Sequence, residues 1–231
     1  MPKTLKNTSS PPPSSRRAAS ARASSRSLSR QAYDHLANLL LTDLSPGDIL
    51  NRRQVAADLN ISVAPVLEAM VQLEADGLLE TLPRKGTRVR SARAEDLRGQ
   101  LILREAIECE AARLYCGAPV RQNAAALETL ATRIDQIPAA DNLALWRAET
   151  AFHRALVVLA DCDVLTDAFD RVMRQSLFIA MKFFLEAHPE KTRGNHRKLV
   201  RQLKTATPDK AQTIMREHLR YAKPAALLPP R

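Results

Sequence analysis

Large apolar side chains are nearly absent from residues 1 to 27, a stretch of Ser, Ala, Pro and Arg. Such a segment buries too little surface to offset the entropy of ordering it, which predicts a disordered arm. From 28 to about 43, Ala32, Leu36, Leu39 and Leu40 recur at helical spacing, and Ser45-Pro46-Gly47 stops the helix. A short second helix is predicted over 53–59. Asn60-Ile61-Ser62 then makes a turn, with Ser62 as N-cap of a third helix over 63–76, in which Val66, Met70 and Leu73 share one face. Pro65 lies in the first turn of that helix, where its missing N–H does no harm. The segments 78–82 and 87–89 flank the basic tip Pro83-Arg84-Lys85-Gly86 and predict a β-hairpin.

Beyond residue 94 the pattern becomes helical throughout, punctuated by Gly117-Ala118-Pro119, Ile137-Pro138, His188-Pro189 and Thr207-Pro208. Six helices are predicted, over 95–116, 120–136, 141–161, 163–187, 190–204 and 208–222. The fold class is therefore mainly α: an N-terminal winged helix-turn-helix at 28–92, an antiparallel all-α bundle of about six helices at 93–223, and a tail at 224–231. Three helices followed by a basic hairpin present the third helix to the major groove of DNA and the hairpin to backbone or minor groove.

A chain of 231 residues with 45% apolar side chains has enough material for two cores. Its formal charge of +10 suits a polyanionic partner, but the charge is unevenly placed. Residues 1–30 hold seven Lys/Arg and no acid, whereas 31–92 hold six Lys/Arg against eight Asp/Glu. The basic arm is thus a candidate phosphate clamp, and the DNA-binding body itself is not strongly basic. Cys109, Cys116 and Cys162 form no C-x-x-C pair and no even set, which fits a reducing cytosol and excludes a disulfide framework or a zinc ribbon. No apolar run approaches the roughly 20 residues of a membrane span. The N-terminus lacks the apolar core of a signal peptide, so a cytoplasmic protein with no membrane partner is expected.

Glu149 and His153 stand four apart on a predicted helix and so share a face, while His196 and His218 fall on two further helices. From the residues alone, this set is either an assortment of surface and core side chains or one carboxylate and three imidazoles brought together around a metal.

Ser45-Pro46-Gly47-Asp48-Ile49-Leu50, Ile61 to Ala69 (ISVAPVLEA) and Leu73 to Leu78 (LEADGL) resemble the GntR family of bacterial regulators. Leu103 to Glu108 (LREAIE), Phe152-His153, His196 and Met215 to His218 (MREH) resemble the FCD ligand-binding domain of its FadR subfamily. The resemblance implies a homodimer that binds a two-half-site DNA operator and answers to a small carboxylate effector. It matches Arg53, on the second helix, to a family position that contacts DNA and makes Arg84, Lys85, Gly86 and Thr87 the wing; Arg52 beside the helix and Ser62, Ala64 and Pro65 at the start of the third are further candidate DNA contacts. The two family arginines at the start of the recognition helix are Val63 and Leu67 here, which removes Arg–guanine pairs worth roughly 1–3 kcal/mol each in discrimination.

The same resemblance makes Glu149, His153, His196 and His218 a metal-ligand set, with Glu in place of the family's Asp. Zinc is the expected ion, and nickel, manganese and iron suit the same donors. Arg104 matches a family arginine that points into the effector pocket; the alternative for it is an ion pair with Glu108, one turn on. Two competing functions follow from these residues. A metal-dependent hydrolase is disfavoured by the lack of an H-E-x-x-H helix, and a winged-helix interaction module without sequence-specific DNA binding is suggested by Val63 and Leu67.

Overall fold

The first apolar stripe forms α1 (Pro13–Thr42), which buries Ala32, Tyr33, Leu36 and Leu40. The structure, a computed structural model, describes residues 13–91, 94–138, 141–183 and 195–221. The helical backbone begins at Pro13 rather than near Leu28, so residues 13–27, assigned by composition to the disordered arm, are helical. Ala18, Ala19, Ala21 and Ala23 are strong helix formers. A helix nucleated by the packed stretch beyond Leu28 therefore propagates backwards at little cost. The rest of the arm, 1–12, lies outside the described residues, as does the tail 224–231.

The chain divides into two compact units, Met1–Val89 and Arg90–Arg231. In the first, α2 (Arg52–Asp58) starts at Asn51, whose side chain accepts from the backbone N–H of Arg53 and Gln54 at 3.0 and 3.3 Å. Ser62 occupies the N-cap position of α3 (Val63–Ala75), but its hydroxyl makes no capping bond. Gly77, at φ 73°, ends α3 by letting Leu78 N–H reach back to Leu73 O at 2.9 Å. α1 packs on α3, and the Tyr33 hydroxyl donates to Asp76 Oδ2 at 2.7 Å in a buried bond at the foot of α3.

The hairpin is β2 (Leu79–Leu82) and β3 (Gly86–Val89), paired Leu79 to Val89 and Leu82 to Gly86. A strand that the pattern did not predict, β1 (Ile49–Leu50), pairs antiparallel with the other edge of β3 and makes the sheet order β1-β3-β2. Two residues are too few to show alternation. The core joins Val66, Ala69, Met70 and Leu73 of α3 to Leu79 and Val89 of the sheet.

The second unit contains α4 (Ala94–Tyr115), α5 (Ala118–Gln122), α6 (Ala124–Gln136), α7 (Asn142–Val158), α8 (Asp163–Phe183), α9 (His196–Leu203) and α10 (Pro208–Arg220). Seven helices among the described residues replace the six predicted, because the helix expected over 120–136 breaks at Asn123. The Asn123 backbone leaves helical geometry at φ −103° and ψ 10°, and its side-chain amide donates to Pro119 O at 2.9 Å. The expected ends at 184–187 and 190–194 lie outside the described residues.

α4 packs against α7, α8 and α10, and α6 against α7 and α9, around buried Tyr115, Phe152, Phe169, Ile134 and Leu199. Arg220 holds both carboxylate oxygens of Glu105 at 2.8 Å, which fixes α10 on α4. No single helix among the described residues is long and apolar enough to cross a membrane.

Candidate metal centre and nucleic-acid interface

Three helices of the bundle converge on one buried point. α7 supplies Glu149 and His153 from adjacent turns; α9 supplies His196, its first residue, placed by the Asn195 cap on Lys198 N–H at 2.9 Å; α10 supplies His218. One nitrogen from each histidine lies within 4.8 Å of the other two. His218 Nε2 is 3.4 Å from His153 Nε2, and Glu149 Oε2 is 3.1 Å from His196 Nε2 and 3.8 Å from His153 Nε2. Four donors about 2.1 Å from a zinc ion in a tetrahedron stand roughly 3.4 Å from one another, close to these three separations, and the three histidine nitrogens form a compact set of the kind a divalent ion takes. The longer Glu side chain brings its oxygen to two of the three histidines.

A second layer holds His153. His153 Nδ1 is hydrogen-bonded to Glu108 Oε2, and Glu108 Oε1 accepts from Arg104 Nε at 2.6 Å. An ionised carboxylate can only accept, so Nδ1 carries the proton and Nε2 keeps its lone pair for the cluster. Glu108 is fully buried and Arg104 and His153 nearly so. Phe152 closes the set edge-on, with its ring centroid 5.4 Å from that of His153 and 4.7 Å from that of His196. Glu149 Oε1 and His196 Nδ1 are buried with no hydrogen-bond partner among the described residues.

The electrostatics keep the donors in metal-ready form. Burial pulls the His153 imidazolium down, and Glu108 only partly opposes it. Burial, then the neighbouring His153 and His196, push His218 well below the usual histidine range. Both rings are therefore neutral near neutral pH, the form that ligates metals. Burial works against ionisation of Glu108 and Glu149, but their partners prevail. His153 and Arg104 hold Glu108 below the usual carboxylate range, and His196 does the same for Glu149.

Glu108 is the functional residue that sequence reasoning undervalued, since it entered only as a possible partner of Arg104. The signal lay in α4, where Leu97, Leu101, Arg104, Glu108, Ala111 and Tyr115 follow the spacing of one core-facing stripe. Two charges in such a stripe need a partner inside the core. Arg104 makes the ion pair with Glu108 that stood as the alternative to an effector contact, and its charge also acts on His153, Glu149 and His218, which puts it beside the cluster. A cavity of about 630 Å³ between α6 and α7, bordered by Arg133 and Arg147, shares no residue with the cluster. Cys109 is buried and its thiol is pushed up to about 11, so it stays protonated.

In the first unit, Arg52 and Arg53 are exposed in the first turn of α2, and Ser62 and Ala64 are exposed at the start of α3. Pro65 is buried in the core and offers no surface to a duplex, because the face of α3 that carries Val66, Ala69 and Met70 also takes in its ring. Arg84, Lys85 and Gly86 are exposed at the hairpin tip. Leu82 O accepts from Lys85 N–H at 3.1 Å across a turn with Pro83 and Arg84 in the middle, and Arg84 adopts φ 63°. Thr87 is half-buried and pairs its hydroxyl with that of Thr81 at 3.3 Å, so it braces the wing.

Comparison with known proteins agrees with both units. Residues 28–89 match the model of the bacterial regulatory proteins of the gntR family, and residues 101–221 match the FCD domain. The HTH-type transcriptional repressor RspR of Escherichia coli K12 is 25% identical over 185 residues, covering 76% of this chain and 78% of that protein. Two solved structures share the fold. A GntR regulator from Rhodococcus sp. RHA1 has a TM-score of 0.64 at 21% identity, covering 84% of this chain and 94% of its own. E. coli McbR/YncC has a TM-score of 0.62 at 19% identity, covering 83% and 93%. With a gntR-type reading head at 28–89 and an FCD domain over more than half its length, the chain belongs to the GntR family of transcriptional regulators, in the architecture of the FadR subfamily.

Proposed function

We propose that this protein is a homodimeric DNA-binding regulator whose operator affinity is set by a small carboxylate held at a metal centre in its helical bundle. The convergence of three histidine nitrogens and Glu149 Oε2 on one buried point carries this reading. Glu149, His153, His196 and His218 would hold a divalent ion, zinc first, with nickel, manganese and iron suited to the same donors. The bound ion would supply a Lewis-acidic position for an anionic oxygen. Arg104, fixed by Glu108, would give its remaining N–H groups to the same carboxylate, since a guanidinium forks onto two oxygens. His153 is kept in the ligating tautomer by Glu108, and Phe152 shields the set from water.

On the DNA side, Arg52, Arg53, Arg84 and Lys85 would neutralise phosphates, with Ser62, Ala64 and Gly86 near enough to the duplex to shape the contact. Two copies related by a two-fold axis would read two half-sites. The effector changes operator affinity only through its unequal binding to the DNA-bound and free states.

The test is fluorescence anisotropy of the full-length protein on an operator selected from random duplexes, with zinc-loaded and metal-stripped protein and a panel of small carboxylates. The reading predicts that at least one carboxylate shifts operator affinity several-fold with zinc and has no effect without it. Carboxylate effects that are equal with and without metal would overturn the metal-centred part. Equal affinity for selected and random duplex would favour the interaction module instead, which the exposed Val63 and Leu67 make the second reading.

A further inference from the structure

Along its outward face α3 carries a row of apolar side chains beside the exposed Glu68, Gln72 and Glu74. Val63, Leu67 and Val71 stand four residues apart, with exposures of 37%, 45% and 58%. The helix Val63–Ala75 contains no Lys, Arg, His, Ser, Thr or Asn; its polar residues are Glu68, Gln72 and Glu74. Both glutamates are engaged within the unit: Glu68 by the Ser29 hydroxyl, and Glu74 by the Thr81 N–H at 2.8 Å and hydroxyl at 3.0 Å. No Arg or Lys at the start of this helix can fork onto a guanine edge, and the N-cap Ser62 offers a single hydroxyl. The elements beside it nevertheless expose cations, Arg52 and Arg53 on α2 and Arg84 and Lys85 on the wing.

A narrow apolar ridge between cationic shoulders fits a groove with anionic walls. The floor of the major groove carries one apolar group, the thymine 5-methyl. Resting on the DNA-binding reading above, we infer that α3 reads thymine methyls: Val63 and Leu67 pack on methyl groups, and operator choice by this helix is by apolar contact rather than by Arg–guanine bonds. Four helical residues advance about 6 Å, close to two base steps of about 3.4 Å, so the thymines met by Val63 and Leu67 lie two base pairs apart. The single exposed row, bordered by Ala64, Glu68 and Gln72, is one side chain wide.

The experiment selects duplexes from a random pool with the full-length protein, then replaces thymine by deoxyuridine position by position in the enriched half-site. This removes the methyl and leaves every hydrogen-bonding edge intact. The inference predicts enriched thymines two base pairs apart and a loss of affinity of about fourfold for each methyl removed. Leu67→Ala, an exposed change that leaves the thermal melt unmoved, should bind the thymine and uracil duplexes alike at its position, and Val63→Ala should do so at the other. An enriched site in which uracil binds as well as thymine would overturn the methyl reading and leave the regulator standing. A pool that yields no site preferred over random duplex would overturn both.

Discussion

In the bundle, α4, α7, α9 and α10 send charged and ring side chains inward to one point, where Glu108 holds His153 and Arg104 holds Glu108. In the winged unit, the candidate contacts point outward from α2, α3 and the hairpin tip and touch little else. Arg104 and Arg53 illustrate the difference. Arg104 is buried on a fully buried Glu108, whereas Arg53 is exposed at a helix start. The same side chain is a structural commitment in one unit and a free charge in the other. Changes at the buried cluster should therefore alter folding, metal and effector together, while changes at the reading face should alter DNA binding and leave stability nearly untouched.

The largest expected effect is at Glu108. Glu108→Ala leaves Arg104 buried without its carboxylate and should cost about 3–5 kcal/mol in denaturant unfolding. Glu108→Gln keeps the shape, loses the charge that fixes the His153 tautomer, and should weaken zinc binding by about 10–100-fold in a competition titration. Variants that unfold and bind zinc like the parent would break the claim that the second layer holds the first.

Acid probes the same cluster. His153 and His218 take up protons less readily folded than unfolded, so the unfolded state binds more protons as pH falls through about 6.5, and stability falls with it. Glu108 and Glu149, also held low, act in the same direction further into acid. The metal-stripped protein should therefore melt at lower temperature at pH 5 than at pH 7, and zinc affinity should drop over the same interval. A flat melting profile would show that these rings are not buried as neutral donors.

Two smaller effects sharpen the contrast from the winged side. Tyr33→Phe removes the buried bond to Asp76 and should cost about 1 kcal/mol in thermal unfolding. Arg84→Gly relieves a left-handed backbone and should gain up to about 1 kcal/mol. It should also lower the salt dependence of DNA binding by about one phosphate contact for each chain. A loss of stability at Arg84→Gly would show that this arginine is part of the fold rather than of the interface.

The two units were unequally legible in the sequence. Amphipathic helices announced themselves by spacing, whereas the i,i+4 interval of Glu149 and His153 left a site and an assortment of side chains both open until the family resemblance singled them out. What spacing does not carry is partnership across the core. Glu108 could be placed on the inner stripe of α4, but its bond to His153, 45 residues later, needs the packed bundle. Short elements were also lost: β1 is two residues long, and Asn123 breaks a helix with a single non-helical backbone pair. Residues 13–27 went the other way, since composition speaks for disorder while alanine content and a packed neighbour extend α1. Pro65 was assigned to the interface by position in a motif, and burial moved it to the core.

The most direct test of the metal centre is the metal content of the purified full-length protein, beside that of a His153→Ala/His218→Ala double variant. The account predicts about one divalent ion for each chain in the parent and none in the variant, in keeping with a site of four protein donors. A parent free of metal after growth with zinc, or a variant that keeps its ion, would contradict it.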